Sequence, residues 1–249
     1  MLTLLQPDVQ AMTITEMLAR LKQYQLLPQF QQELIIDSAI AEIDCTPDEI
    51  AAAHQQLIAK YQLTSDAAKA QFCQQRGLTA EDLDALLTRL CRIEKFKQQT
   101  WGHKLESYFL QRKPTLDRVI YSILQVEDAD LAQELYFRLQ DDKQSFAELA
   151  RHYAPETANS LVGPVELGAI HPDLAYLLSL SYPGQLWHPI PIGETLVILR
   201  LEQLLPARLD QPMRQRLLQE LFDQWVGSGE WGVGSGEWGV GSGGWGVDG

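Results

Sequence analysis

Three cysteines are the first side chains to consider for metal or redox chemistry. Cys45, Cys73 and Cys91 lie far apart in the sequence, their number is odd, and no pair has the CxxC spacing. This spacing indicates neither a disulfide framework nor a zinc site, so we predict no bound metal and no cofactor. We expect all three cysteines to be small buried residues of helices.

The histidines and the other motifs give no sign of hydrolytic or phosphate chemistry. His54, His103 and His152 lie in predicted helices, without metal-ligand spacing to a cysteine or an acid. The chain has no Ser-His-Asp order, no glycine-rich phosphate loop and no pair of carboxylates in a mechanistic context. The motifs alone therefore assign no enzyme class.

Composition and charge restrict the classes of partner. The chain has 249 residues, of which 45% are hydrophobic, and its net charge is −13. Non-specific binding to nucleic acids or to anionic membranes needs a basic surface, which this composition disfavours. The N-terminal segment lacks the features of a signal peptide, and no apolar run has the length of a membrane span. We predict a cytoplasmic protein with no membrane span and no nucleic-acid partner, and the oligomeric state stays open.

The first half of the chain has the pattern of consecutive helices. Residues suited to cap a helix precede the apolar patterns, and these are Thr13, Thr46 and Thr79. The helix that begins after Thr79 is expected to run to about Phe109, and Pro114 is expected to break the helical region. Residues 13 to 112 are therefore predicted to form one helical module.

The pattern changes after Pro114. The segment "LDRVIYSILQV" is rich in β-branched and apolar residues, as a buried strand would be. Two helical patterns follow, then the predicted loop "APETANSLVGP", a short apolar helix, the extended "LWHPIPI" and the strand "ETLVILRLEQL". This order predicts an α+β fold, with helices against a small antiparallel sheet. A final helix, "LDQPMRQRLLQELFDQW", places apolar side chains on one face.

The segment from Arg118 to Glu202 resembles the parvulin-type peptidyl-prolyl isomerases. Its matching features are "SIL" in the first strand, "SFAELARHY" in a helix, the acid-Leu-Gly motif "ELG" and the turn "YPGQL". The helical regions on either side resemble the chaperone arm of SurA-type foldases, and the layout is similar to a cyanobacterial subgroup of them. The resemblance implies a SurA-like helical module at 13–112, a parvulin-like isomerase domain at 115–205 and a C-terminal helix at 209–225 packed on the helical module.

The chain departs from this family at the polar positions of the site. Parvulins carry two facing histidines, whereas here the first position is Ser122 and the second falls on Thr195 or Val197. The resemblance implies Glu156 and Ser122 as catalytic residues, with Glu156 as the acidic group of the loop. As alternatives, Glu156 is a solvated loop residue and Ser122 a small residue in a buried strand.

The apolar part of the family's site is retained. The resemblance implies that the proline ring of a substrate binds at Leu167, Ile170 and Leu174. The alternative is that all three are ordinary core residues of a small α+β domain. His171 and His188 border this region and are expected to have surface or turn roles.

These residues leave three functional hypotheses. Prolyl isomerisation needs no covalent step, because its barrier of about 20 kcal/mol comes from amide resonance and falls when the bond leaves water in a suitable slot. The first hypothesis is thus an isomerase of Xaa-Pro bonds in client polypeptides, with activity weakened by the missing histidines. The second is a non-catalytic chaperone or secretion-assisting module that binds unfolded or proline-containing chains. The third is a helical scaffold for one dedicated partner.

The end of the chain repeats a seven-residue unit from Val226 to Gly249, with Trp231, Trp238 and Trp245 at the same phase. The heptanucleotide GGGGAGT, read in tandem, encodes Gly-Glu-Trp-Gly-Val-Gly-Ser, so a DNA repeat explains the period. The segment is rich in glycine and has neither a helical nor a strand stripe, so we expect a disordered tail over residues 226–249. A Trp-Gly array that binds a partner or a glycan is the alternative.

Overall fold

A computed structural model describes residues 12–61, 63, 65–141, 144–153 and 160–228 of the chain. Across these residues the chain forms helices and a four-stranded antiparallel sheet, which confirms the predicted α+β fold. The chain divides into two compact units. Of the described residues, those in Lys104–Leu217 form the sheet unit, and those up to His103 together with those from Leu218 to Ser228 form the helical unit.

The helical unit consists of consecutive helices and the last part of the final helix. Their bounds are α1 Ile14–Gln23, α2 Leu27–Ala39, α3 Pro47–Tyr61, α4 Asp66–Arg76, α5 Ala80–Trp101 and, at the end of the chain, α10 Gln211–Ser228. None of the described helices of the protein combines the length and the apolar character that a membrane crossing requires.

The predicted caps begin these helices. At α3 the backbone N–H of Thr46 donates to the Glu49 carboxylate at 2.7 Å, and the Glu49 N–H donates to Thr46 Oγ1 at 3.3 Å. The same reciprocal exchange begins α1 at Thr13 and α5 at Thr79. Each exchange satisfies backbone donors that the first helical turn leaves without a partner.

The core of the helical unit contains two apolar clusters. One joins α2, α5 and α10 through Ile36, Ile40, Ile43, Ile93 and Phe222. Aromatic rings surround Phe222, and the ring centroids of Phe96 and Trp225 lie 5.3 Å apart. The second cluster contains Leu63, Phe72, Leu83 and Leu87.

The long helix expected to reach about Phe109 is divided in two. Helix α5 ends at Trp101, and a 3₁₀ turn, Gly102–Lys104, precedes α6 at Leu105–Leu116. The apolar stripe continues across this junction, which is why the sequence pattern did not reveal it.

Pro114 lies inside α6, so the prediction that it breaks the helix is wrong. A proline removes one backbone donor, and at this position few further helical bonds are lost because the helix ends at Leu116. The last turn closes beyond it, since the N–H of Asp117 donates to the carbonyl oxygen of Lys113 at 3.0 Å.

The sheet unit alternates strands and helices after α6. Its elements are β1 Arg118–Val126, α7 Ala129–Gln140, α8 Phe146–Tyr153, β2 Leu161–Glu166, a 3₁₀ turn Leu167–Ala169, α9 Pro172–Leu180, β3 Leu186–Ile192 and β4 Thr195–Leu205. The strand order is β2-β1-β4-β3, with every neighbouring pair antiparallel.

Strand β2 begins within the segment that the sequence predicted to be a loop. It contains Gly163 and Pro164, which weaken a strand pattern. The strand forms because β2 lies at the edge of the sheet, where a proline is tolerated. Gly163 has φ +117, and a Cβ there would lie 2.4 Å from the carbonyl oxygen of Val119, so this close approach to β1 requires glycine.

The two faces of the sheet pack against different helices. On one face, called the α7/α8 face, Leu124, Val126 and Ile198 pack with buried residues of α7 and α8. On the other, called the α9 face, the buried cluster contains Val119, Tyr121, Leu167, Leu174, Leu178, Val197, Leu199 and Leu201. Successive strand residues point to opposite faces, so these two clusters divide the side chains of β1 and β4 between them.

The final helix is longer than the sequence predicted. Helix α10 continues to Ser228, and Val226 packs against the cluster around Phe222. Residues 226–228 are therefore helical rather than part of a disordered tail. The rest of the repeat, 229–249, lies outside the described residues.

Candidate functional site

Ser122 lies in the middle of the sheet, on β1. Its Cα pairs with that of Arg200 on β4 and with that of Leu161 on the edge strand β2. The side chain is buried, and its hydroxyl donates to Glu202 Oε1 at 2.5 Å. Glu202 Oε1 also accepts from Arg200 Nε at 2.8 Å, so the serine belongs to a polar network of three side chains.

This network lies on the α7/α8 face. Ser122 precedes Leu124 by two positions on the strand, and Leu124 packs against α7 and α8. The guanidinium carbon of Arg200 lies 5.1 Å from the centroid of the Phe146 ring, at the start of α8. Both contacts place the Ser122 side chain among the residues that hold α8 on the sheet.

The predicted apolar pocket residues lie together on the α9 face. Leu167 and Leu174 belong to its buried cluster, with exposed fractions of 4% and 6%, and Ile170 is half-buried at its margin. The structure thus brings Leu167, Ile170 and Leu174 together, as the resemblance implies. It does not bring Ser122 to them, because the sheet lies between.

The two residues considered for the second histidine position do not face Ser122 either. Val197 is fully buried in the α9-face cluster, and Thr195 pairs with Ile192 at the start of β4. The residue opposite Ser122 is instead Arg200. Sequence reasoning missed Arg200 and Glu202, although the alternation of charge with apolar residues in "ILRLE" was the available signal.

The remaining predicted polar groups are Glu156, His171 and His188. Glu156, the implied acidic catalytic residue, lies outside the described residues. The His171 side chain is 54% exposed, with its Nδ1 3.7 Å from an oxygen of Asp173. His188 is exposed as well, and its Nδ1 lies 3.2 Å from the carbonyl oxygen of Pro189. Both histidines have the surface roles that the sequence favours.

The "ELG" motif has a structural explanation. Glu166 ends β2, and its carboxylate accepts two hydrogen bonds from the Arg216 guanidinium, the longer of 2.8 Å. These hydrogen bonds lower the pKa of Glu166, against a smaller opposing effect of burial. A Cβ on Gly168 would lie 3.0 Å from Thr115 Cβ and 3.1 Å from the Thr115 carbonyl oxygen, so the glycine permits close packing on α6.

An apolar surface lies on the first two helices of the helical unit. No residue of α1 is buried, yet the helix carries large apolar side chains. The exposed residues of α1, α2 and the turn between them define what we call the α1–α2 surface: Ile14, Met17, Leu18, Tyr24, Leu26, Phe30 and Leu34. Their exposed fractions run from 42% for Met17 to 80% for Ile14.

The proteins found to be similar to this chain are solved structures. No protein-family model matches this chain, and no curated protein matches it. The chain is similar to the peptidylprolyl isomerase PrsA of Bacillus anthracis, at 17% identity and a TM-score of 0.39, over 80% of this chain and 89% of that chain. PrsA of Bacillus cereus is similar at 19% identity and a TM-score of 0.42, over 86% of this chain and 81% of that chain.

A SurA-like chaperone of Campylobacter jejuni is also similar. Its identity to this chain is 17% and its TM-score 0.35, over 73% of this chain and 82% of that chain. At these identities and scores the neighbours transfer no activity and no site residue to this chain.

Proposed function

We propose that this chain is a foldase-type chaperone that binds unfolded or proline-containing polypeptides. The observation that carries the proposal is the α1–α2 surface. Helix α1 presents Ile14, Met17 and Leu18 to solvent and buries no residue, so a large part of its apolar surface is left uncovered by the helical unit.

Exposed apolar surface of this kind supports polypeptide binding for two reasons. Soluble proteins seldom leave large apolar patches uncovered unless the patch binds something. The side chains here also include Met17, Leu18 and Leu34, whose flexibility suits partners of varied sequence. Client chains would bind with their apolar residues in contact with the helices, while the acidic remainder of the protein keeps the complex dispersed.

A second candidate function is peptidyl-prolyl isomerisation, and it is favoured by the α9 face. Several apolar side chains at the margin of its cluster are half-buried, and they are Ile123, Ile170, Trp187 and Ile192. A proline ring could contact such a margin without unfolding the core. In this proposal Ile170 is the accessible part of the substrate site, with Leu167 and Leu174 behind it.

The polar half of such an active site is the weaker part of this candidate. The catalytic roles implied for Glu156 and Ser122 require both side chains to contact a substrate bound at the α9 face, whereas the Ser122 hydroxyl bonds to Glu202 on the other face. The burial of Ser122 between Glu202 and Arg200 favours a structural role instead. We therefore rank polypeptide binding first and isomerase activity second.

The family assignment belongs to the same proposal. We propose a parvulin-type chain with a SurA-like helical module, in the cyanobacterial subgroup, with modules at 13–112, 115–205 and 209–225. The cytoplasmic location stays a prediction.

Two assays on the purified full chain separate the functions. In the first, a chemically denatured client is diluted with and without the chain, and light scattering follows its aggregation. In the second, the exchange between cis and trans forms of Xaa-Pro peptides is measured by NMR, with the uncatalysed rate as reference. Suppressed aggregation supports the chaperone proposal, and faster exchange adds the isomerase. If client aggregation is unchanged at equimolar protein, the chaperone proposal fails.

A further inference from the structure

Two thiols and a carboxylate meet in the helical unit, at a place that no local sequence motif marks. The Sγ atoms of Cys45 and Cys91 and a carboxylate oxygen of Glu49 all lie within 4.8 Å of one another. Cys45 lies in the connection between α2 and α3, Glu49 in the first turn of α3, and Cys91 within α5. The packing of α3 against α5 brings the three together.

These positions correct the sequence-based prediction for the cysteines. Cys91 is buried in a helix as expected, and Cys73 is half-buried in α4. Cys45 is not in a helix and is half-buried beside the α3 cap. The prediction of no metal site relied on local spacing, and the structure brings the groups together through long-range packing.

We propose that Cys45, Glu49 and Cys91 bind a thiophilic divalent cation, with Zn²⁺ as the probe ion. Zinc takes thiolate and carboxylate ligands in tetrahedral geometry, and Zn–S bonds of about 2.3 Å would place the two sulfurs roughly 3.8 Å apart. Since the two sulfurs lie within 4.8 Å of each other, side-chain rotations need to bring them closer by at most about 1 Å. Three protein ligands leave the fourth position to a water or another ligand.

The carboxylate is already oriented for this role. The Thr46 backbone N–H donates to Glu49 Oε2 at 2.7 Å, and Lys95 Nζ donates to both carboxylate oxygens at 2.9 Å. A carboxylate oxygen has more than one lone pair, so Oε1 can accept from Lys95 and still coordinate a metal. Outer partners of this kind orient a metal ligand and support its affinity.

The charges of the site balance when the cation is bound. Two thiolates and one carboxylate carry three negative charges, and a divalent cation with the Lys95 ammonium carries three positive ones. Lys95 is only 30% exposed, so the site lies partly out of water. A net charge of zero there avoids the free-energy cost of burying an unbalanced charge.

The burial of the three groups fits the binding of an ion from solvent. Thiols coordinate a metal as thiolates, so binding would release the thiol protons of Cys45 and Cys91 into solvent. Cys45 and Glu49 are half-buried, which gives an ion access from solvent, while Cys91 closes the inner side.

Cobalt titration of the full chain tests the proposal. The chain is reduced with a phosphine and kept anaerobic, and Co²⁺ serves as the spectroscopic substitute for Zn²⁺. We expect a thiolate-to-cobalt charge-transfer band and strong visible bands of tetrahedral cobalt, complete at one equivalent and lost when Zn²⁺ is added.

Variants assign the ligands. Cys45→Ser and Cys91→Ser should each remove the charge-transfer band, whereas Cys73→Ser, which changes the third cysteine outside the cluster, should keep it. Lys95→Met should weaken binding about ten- to hundredfold, as loss of an outer partner does. Circular dichroism checks that each variant folds. If Cys91→Ser does not fold, the cobalt titration of Cys45→Ser, a change at a half-buried residue, tests the proposal.

Two results would overturn the proposal. One is the absence of the charge-transfer band in the reduced wild-type chain. The other is a band that persists in Cys45→Ser.

Discussion

On the α7/α8 face of the sheet, opposite the cluster of Leu167 and Leu174, the Ser122 hydroxyl donates to Glu202 at 2.5 Å. Ser122 was assigned a catalytic role by resemblance. Its hydrogen bond to Glu202 joins β1 to β4, and Glu202 also accepts from Arg200 on β4. The Ser122→Ala variant distinguishes these roles.

Ser122→Ala should lower the free energy of unfolding by about 1 kcal/mol, because the half-buried carboxylate of Glu202 loses one of its donors. Client binding should not change. Urea denaturation measures the loss, and Ser179→Ala is the control, since the Ser179 hydroxyl is exposed and bonds only to a carbonyl of its own helix. A Ser122→Ala protein of unchanged stability that loses isomerase activity would restore the catalytic assignment.

Leu174→Ala should destabilise the sheet unit by about 2–5 kcal/mol, because it leaves a cavity in a packed cluster. Leu180→Ala, in the same helix at 61% exposure, is the matched control and should change stability little. Thermal and urea unfolding give both values. If Leu174→Ala unfolds like the wild type but no longer binds proline-containing peptides, Leu174 is a substrate residue rather than a core residue.

The pair Glu166–Arg216 should make stability depend on pH. The pKa of Glu166 is lowered in the folded state, so the pair stabilises above the ordinary carboxyl pKa of about 4.3, and the contribution is lost as pH falls through the folded pKa. Arg216→Met should cost at most about 1 kcal/mol near neutral pH, because the pair is partly exposed, and nothing at strongly acid pH.

Urea denaturation of Arg216→Met across this pH range measures the effect. Arg208→Met removes the same charge from an exposed position and is the control. A cost for Arg216→Met that persists unchanged in acid would mean that the arginine stabilises by packing rather than by its charge.

The α1–α2 surface should carry client binding. The double variant Phe30→Ser, Leu34→Ser removes two exposed apolar side chains, so it should suppress client aggregation much less, while stability stays within about 0.5 kcal/mol. The double variant Phe137→Ser, Leu110→Ser, at 52% and 67% exposure in the sheet unit, removes the same two side-chain types elsewhere and is the control. Equal losses in both variants would mean that binding follows total exposed apolar area and not this surface.

Truncation should separate the repeat from the fold. A chain ending at Ser228 keeps helix α10 complete, and we expect its melting temperature to equal that of the full chain. A chain ending at Leu221 loses Phe222 and Trp225 from the aromatic cluster, and should lose at least about 3–5 kcal/mol. Destabilisation by the shorter deletion would show that the repeat supports the fold.

Local patterns predicted much of the fold correctly. The caps at Thr13, Thr46 and Thr79 and the strand around Ser122 follow from interactions within a few residues, which the sequence displays directly. The errors at Pro114 and β2 have the opposite origin. Pro114 is tolerated because helix α6 ends two residues after it. Pro164 is tolerated in β2 because that strand lies at the edge of the sheet.

The sequence by itself determined the α+β class, the helical first half, and the apolar character of Leu167, Ile170 and Leu174, since these depend on residue type and periodicity. Only the tertiary structure decided that Ser122 faces Glu202 and that Cys45, Glu49 and Cys91 meet. Strand register and helix packing join residues that are distant in sequence. A shift of one residue in register would move Ser122 to the other face, and no local pattern in the chain records that choice.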